Sequence, residues 1–465
     1  MKETSETILM EKFRNILLNT SQKKLWEHLQ KLSDKNRQTL LTDLSRVNFP
    51  LMQTFFQKYQ ESQKNNGRFP FQISPLTAQD FYSLSPEDTE NREENMEGEK
   101  YLQQGKLALI LLAGGVGSRL NYFAPKGTFP ITPLTQKTLF EIHFEKIRRV
   151  QQKYATTLRI YLMTSRATDE DTRSYLSQNN YFGIPQEQIF IFQQGEMPAF
   201  SPTSGELLLQ DEGHLCFGPD GHGGLLPALH HSGAYTDMEH HGIKSVFTFH
   251  VDNPLVPIAA PEILTSHLNT GSEMTLLAVK KNTAQERVGN IVRRKPDNKI
   301  SIVEYLDFPD SFAEMRDETG RLTFWAGSVG IHVLELSFMR QITQKILNDP
   351  QSIPWHFPLR KINSYGQKVD GIKPERFIFD ILPYAQSPLV LEMEREEIFT
   401  TLKDDPVPVT THLCQLYKKW LRAANIIFPP DALVEIAPSF ATSMNELKTR
   451  LSPGTVFTEK EILLQ

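Results

Sequence analysis

The chain has 465 residues, 39% of them hydrophobic, which is enough for a sizeable core and about two or three domains. A formal net charge of −5 offers no bulk attraction to nucleic acid or anionic membrane, so any phosphate must be gripped by a local site. Cys216 and Cys414 lie far apart with no C-x-x-C pattern, which argues against a disulfide framework or thiolate zinc site and points to a reducing compartment. The opening MKETSETILMEKFRN carries no signal-peptide core, and no stretch reaches the roughly 18 apolar residues of a membrane span. These features predict a soluble, cytoplasmic protein.

Up to about residue 65 the chain reads as helices. Leu25, Leu29 and Leu32, then Leu40, Leu44 and Val47, then Leu51, Phe55 and Tyr59 recur at helical spacing. The following NNGRFPFQISPLTAQDFYSLSPEDTENREENMEGEK breaks all periodicity with Pro, Asn and charge runs, and reads as a solvated connecting segment. An N-terminal helical lobe with its linker is therefore expected over residues 1–95.

At Leu107 the apolar run LALILL, closed by Ala113-Gly114-Gly115, predicts a strand buried on both faces. Further strands are expected in LRIYLMTS, IFIFQQ, SVFTFHVD, MTLLAVKK and SIVEY. Helices lie between several of them, including one where Phe140, Phe144 and Ile147 share a face. The fold class expected is α/β: a Rossmann-like, mixed but mainly parallel sheet flanked by helices over residues 96–388. From 389 to 465, the run LVLEME, a helix around HLCQLYKKWLRAAN and a Pro-broken tail predict a small C-terminal α/β lobe.

The most informative stretch is a strand, then Gly114-Gly115-Val116-Gly117-Ser118-Arg119, then Pro125-Lys126-Gly127. Glycines let backbone N–H groups approach phosphate oxygens, and a turn leaving a strand aims them outward at the carboxyl edge of the sheet. Arg119 and Lys126 add two fixed cations. Leu120 stands where a dinucleotide fingerprint needs its third Gly, and the Gly-Lys-Ser/Thr of a P-loop is absent, so a dehydrogenase or P-loop NTPase is disfavoured.

LLAGGVGSRL followed by PKGTFPI resembles the signature of the sugar-nucleotide pyrophosphorylases, L-x-x-G-G-x-G-[ST]-[RK]-L followed by P-K. The resemblance is closer to the eukaryotic-type UDP-N-acetylglucosamine and UDP-glucose pyrophosphorylases, and it continues in order from the QKKLWEHLQ helix to the helix carrying Trp420. It implies that the glycine loop, with Gly114, Gly115, Gly117 and Ser118, binds nucleotide. The matching F-Q-Q-G-x-x-P-A segment implies that Gln193 or Gln194, with backbone near Met197, selects uracil, whose donor and acceptor edge suits an amide.

The family's G-N-G-G loop stands here as Gly221-His222-Gly223-Gly224. His222 departs from the Asn of the hexosamine branch toward the G-H-G-D of the glucose branch. Asp252, ending the strand SVFTFHV, matches the family's V-D-N and is the implied Mg²⁺ ligand, a role that suits one carboxylate completed by phosphate oxygens and water. Gly289 and Glu304 match segments that contact sugar hydroxyls, while Ser328 replaces the Asn of the hexosamine enzymes. Lys373 and Lys403 match two further lysines of the family. The adjacent pairs His230-His231 and His240-His241 lack metal-ligand spacing and read as ordinary polar residues.

The implied reaction is in-line attack of a sugar 1-phosphate on the α-phosphorus of UTP, releasing pyrophosphate. Arg119 would hold pyrophosphate, Lys126 and Asp252-bound Mg²⁺ the triphosphate, and Lys373 and Lys403 the sugar phosphate and α-phosphate. N-acetylglucosamine 1-phosphate is the expected sugar, with a glucose-specific or broad enzyme as the alternative within the class and a non-catalytic UDP-sugar-binding protein outside it. A monomer or weak homo-oligomer is expected, without nucleic acid or membrane partners.

Overall fold

The computed structural model describes residues 5–64, 72–84 and 92–465. Two compact units form, each from three separated stretches: Met1–Pro70, Gln194–Pro227 and Asn348–Asp380 in one, and Phe71–Gln193, Ala228–Leu347 and Ile381–Gln465 in the other. Among the described residues no helix is long and apolar enough to cross a membrane.

In the first unit the helices Ser5–Leu18, Lys23–Lys31, Asp34–Ser45 and Phe49–Lys64 follow the predicted periodicity. Ser33 starts the third by accepting a hydrogen bond from Asn36 N–H, the usual way to satisfy an orphan amide. Leu25, Leu29, Leu40, Leu44 and Phe55 are buried against Phe200, Leu207, Leu215 and Ile372 of the same unit.

In the second unit eleven strands form one sheet. In chain order they are β1 Gln72–Ser74, β2 Tyr82–Ser83, β3 Leu107–Leu112, β4 Arg159–Thr164, β5 Ile189–Gln193, β6 Ser245–His250, β7 Met274–Lys280, β8 Gly289–Lys295, β9 Ile300–Val303, β10 Ala326–Glu335 and β11 Pro388–Glu392. The main path runs β2-β11-β7-β10-β6-β3-β4-β5, and β8 branches from β10 to pair also with β1 and β9. Along that path only β10 is antiparallel to its neighbours, so β3, β4, β5, β6, β7 and β11 all point the same way. The sheet is mixed and mainly parallel, as expected. Every residue of β3 is buried, which is why its sequence shows no alternation.

The helix Leu139–Tyr154 covers one face with Phe140, Phe144 and Ile147 buried. Its start is a capping box, Thr138 accepting from the amide of Glu141.

Besides β8, which no expected strand covers, the sequence reading differs from the structure in two regions. In the described parts of the expected connecting segment, β1 pairs with β8, β2 pairs with β11, and Arg92–Gln103 is a helix. Strands of three and two residues are too short for periodicity to register, and what fixes them is long-range: Asp80 pairs with Arg293 on β8. The helix depends on Gly98, where a Cβ would lie 2.2 Å from the Pro261 carbonyl oxygen. Part of the expected charge run, residues 85–91, lies outside the described residues. The second difference is β10, in FWAGSVGIHV, whose two glycines disguise a strand. Gly330, at φ +70°, sits within its bulge beside His250.

Candidate active site

Because β3, β4, β6 and β11 are co-directional, their carboxyl ends release four loops on one edge, where open α/β sheets bind ligands. The glycine loop leaves β3 and closes on itself: Lys126 N–H donates to Gly115 O (3.0 Å), and Gly117 N–H to Ala124 O (3.1 Å). Ser165, just past β4, donates to Gly114 O at 2.7 Å. A methyl on Gly117 would approach Tyr122 O to 2.8 Å, and one on Gly127 would enter the Phe140 ring, whereas one on Gly115 would meet nothing within 4 Å. Glycine is thus required for packing at two positions and leaves open space at the third. Gly115, Ser118 and Arg119 are exposed.

Lys126 reaches back from this loop, its Nζ 3.5 Å from Asp252 Oδ2 and 3.2 Å from Leu402 O. Asp252 follows β6, and its own carbonyl accepts Leu402 N–H at 2.9 Å. The turn after β6 is braced from below by the helix Leu139–Tyr154. His143 Nε2 donates to Val251 O (2.9 Å), and Lys146 Nζ donates to Pro254 O (2.6 Å) and Val256 O (3.2 Å). Burial pushes the His143 imidazole down to about 4 and the Lys146 ammonium to about 7, so the histidine is neutral at pH 7.

Segment 398–404, after β11, carries Lys403. Its ammonium donates to Arg287 O at 2.7 Å. Burial lowers its pKa; the carboxylates of Asp252, Glu286 and Glu304 raise it, and Arg287 lowers it. Asp404 meets Arg287 at 3.1 Å and Arg119 at 4.0 Å. Arg119, Lys126, Asp252 and Lys403 therefore share one neighbourhood. The expected sugar residues of this unit also come together: Gly289 on β8 is paired with Ser328 on β10, and Glu304 stands one step beyond the Asn290–Val303 pair.

Gln193, at the end of β5, hydrogen-bonds the Asp169 carboxylate and helps hold it below its usual pKa, although burial works the other way. In the first unit, Met197 pairs with Gly218 in a short antiparallel ribbon, and the stem of Lys373 covers Gly218, where a Cβ would lie 2.5 Å from Lys373 Cε. Lys373 Nζ is 3.3 Å from Glu375. Gly221, at φ +84°, allows the turn into His222, whose Nδ1 accepts Ile378 N–H at 3.0 Å while its ring stacks on Phe377. Gln194 belongs to the same unit.

Sequence reasoning missed Asp220, whose buried carboxyl is pushed up to about 6 by desolvation, against the opposing pull of Arg376. It also passed over Asn253, which ties two loops together. Asp220 and Asn253 each sit beside a quoted motif, but no spacing rule marks them.

Among the described residues no group of three or more His, Cys, Asp or Glu could hold a metal. A lone carboxylate, Asp252, beside a glycine loop fits Mg²⁺, which typically takes one or two carboxylates and completes its shell with phosphate and water.

The family model described as UTP–glucose-1-phosphate uridylyltransferase matches residues 51–442. UDP-N-acetylglucosamine diphosphorylase 1 of Arabidopsis thaliana is 33% identical over 90% of this chain and 84% of its own length. UDP-N-acetylglucosamine pyrophosphorylase of Saccharomyces cerevisiae is 30% identical over 97% of this chain and 99% of its own. The crystal structure of uridine diphosphate N-acetylglucosamine pyrophosphorylase from Trypanosoma brucei in complex with inhibitor superposes with a TM-score of 0.81 at 22% identity, covering 98% of both chains, and so shares the fold. With a glycine loop, a carboxylate and three cations gathered on one sheet edge and relatives matching along nearly its whole length, the chain belongs to the UTP–glucose-1-phosphate uridylyltransferase family.

Proposed function

We propose that the protein joins UTP to N-acetylglucosamine 1-phosphate, releasing pyrophosphate and forming the UDP-sugar. The observation that carries this reading is the meeting of Lys126, Asp252 and the Lys403-bearing segment beside the glycine loop. The names of the relatives support the choice of sugar.

A phosphate monoester is already an anionic nucleophile, so the site needs no general base. Its task is to hold two anions in line and offset their charge. Arg119 holds the departing pyrophosphate, Lys126 the triphosphate, and Lys403 and Lys373 the sugar phosphate and α-phosphate. Mg²⁺, held by Asp252 and phosphate oxygens, would supply charge neutralisation on the triphosphate. The Lys126 ammonium lies 3.5 Å from Asp252 Oδ2 and adds a second positive charge beside that carboxylate.

Gln193 turns toward Asp169, which favours Gln194, with backbone near Met197, for reading uracil. Gly221 and His222 form the turn beside the nucleoside. The His222 ring is held by Ile378 and Phe377, so this departure from Asn serves the loop's packing and does not by itself favour glucose. Gly289, Glu304 and Ser328 line up for sugar hydroxyls, Glu304 accepting from two. The protein works in the cytoplasm as a monomer or weak homo-oligomer; the buried, unpaired Cys216 and Cys414 support a reducing setting.

Pyrophosphate release with UTP, Mg²⁺ and a panel of sugar 1-phosphates tests this. N-acetylglucosamine 1-phosphate is expected to exceed glucose 1-phosphate in kcat/KM by about 10-fold or more, with turnover abolished by a chelator. Preference for glucose 1-phosphate would move the protein to the glucose branch. Binding of UDP-sugar without any pyrophosphate release would make it a non-catalytic binder.

A further inference from the structure

We propose that Asn253 is a positioning residue that latches the Lys403-bearing segment to the end of β6. The inference rests on the catalytic role proposed for Lys403. Asn253 is 3% exposed, and its amide is used on both sides. Nδ2 donates to Ile398 O at 2.9 Å, while Oδ1 accepts Thr400 N–H at 3.3 Å and Leu255 N–H at 3.1 Å.

The next residues complete a short chain of bonds: Leu402 N–H donates to Asp252 O, and Leu402 O accepts Lys126 Nζ. One side chain thus fixes the register of segment 398–402 against the residue proposed to hold Mg²⁺. Lys403 is the next residue, and its ammonium reaches Arg287 O from that anchored start. Ile398, Phe399 and Leu402 are buried, but apolar burial alone does not fix a segment's position along its own axis. Directional hydrogen bonds to an amide do. Aspartate at this site would keep the acceptor and lose the donor to Ile398 O, facing a carboxylate oxygen at a carbonyl.

A loosened segment displaces the Lys403 ammonium, and a misplacement of about 1 Å costs about 100-fold in rate. Asn253→Ala and Asn253→Asp should each lower kcat by about 10- to 100-fold with KM for UTP changed less than about 3-fold. The signature of a latch is coupling. Asn253→Ala added to Lys403→Ala should cost under about 3-fold more, whereas added to Arg119→Ala it should multiply in full. Amide exchange at Thr400 and Leu402 should accelerate at least about 10-fold in either variant without substrate. The exchange measurement needs no turnover, so it decides the latch even if the reaction assigned above fails. Should Asn253→Ala not fold, Asn253→Asp, a near-isostere, carries the test. Unchanged exchange at both amides, or a full multiplicative loss on the Lys403→Ala background, would overturn the proposal.

Discussion

Asp220 shows how much a single buried side chain organises around the Gly221–Gly224 turn. Its amide donates to Gly195 O and its carbonyl accepts Arg376 N–H, at 3.0 and 2.8 Å. Its carboxylate lies where a methyl on Gly195 or Gly224 would collide with it, at 2.5 and 2.0 Å. The carboxylate therefore requires glycine at both positions. Burial raises the carboxyl to about 6 from 3.8, so the folded state takes up this proton before the unfolded state does. A raised acid contributes stability that is fully present below the unfolded pKa and is lost as pH rises through the folded one. Between pH 4 and pH 7 the loss is about 2 kcal/mol. Asp220→Asn has no such proton. The unfolding free energy of the wild type relative to this variant, measured in urea, should rise by about 2 kcal/mol as pH drops from 7 to 4; a pH-independent difference would remove the buried charge from the account. The residues with this structural leverage were the least legible in the sequence. Asp220 and Asn253 look like ordinary loop polar residues, because what distinguishes them is burial and partner choice. Lys126 and Asp252 were legible from a glycine-loop motif and a strand end.

At the scale of elements, the glycine loop separates two uses of glycine that a motif cannot tell apart. Gly117 lies against a backbone carbonyl that cannot retreat, and Gly115 faces open space. Gly117→Ala should cost about 1–3 kcal/mol of stability through overpacking. Gly115→Ala should stay within about 0.5 kcal/mol of wild type, yet lose about 100-fold in kcat/KM, because its methyl occupies the space proposed for a phosphate. Thermal unfolding and steady-state kinetics on the two variants check this, and full activity in Gly115→Ala would place the phosphate elsewhere. The long apolar strands were readable because burial on both faces writes itself as an unbroken run, as in β3. The strands β1, β2, β8 and β10 were not: β1 and β2 are too short for an alternation to repeat, and β10 carries a glycine bulge that reads as a turn. Their pairing is decided by distant partners such as Arg293 and His250, which a local window does not contain.

For the molecule as a whole, each compact unit is closed by contacts between stretches far apart in sequence, and in the second unit residues near the C-terminus support the loop leading to the helix Leu139–Tyr154. Glu435, 1% exposed, lies on a strand Leu433–Ile436 paired in parallel with Glu461–Leu464. Its carboxylate accepts Leu134 N–H (2.8 Å), Thr135 N–H (3.0 Å) and the Thr135 hydroxyl. Thr410 Oγ1 donates to Ile131 O at 2.9 Å, and Arg149 pairs with Glu446. The segment so held runs directly into the helix Leu139–Tyr154, whose His143 and Lys146 brace the turn bearing Asp252. Removing the Glu435 carboxylate takes the acceptor from two part-buried amides and a hydroxyl, and losing hydrogen bonds to a charged group costs about 1.5–3 kcal/mol. Glu435→Ala should therefore lower unfolding stability by at least that amount, while Glu435→Gln, which keeps one acceptor oxygen, should lose less. Because the site's own hydrogen bonds survive, kcat for Glu435→Ala below its unfolding transition should stay within about 10-fold of wild type, in contrast with the 10²- to 10³-fold loss typical when a preorganised charge donor is removed. Urea unfolding beside kinetics at one temperature separates the two effects. A catalytic loss as deep as that of Lys403→Ala, with stability unchanged, would mean that the carboxylate acts on the chemistry and not on the scaffold.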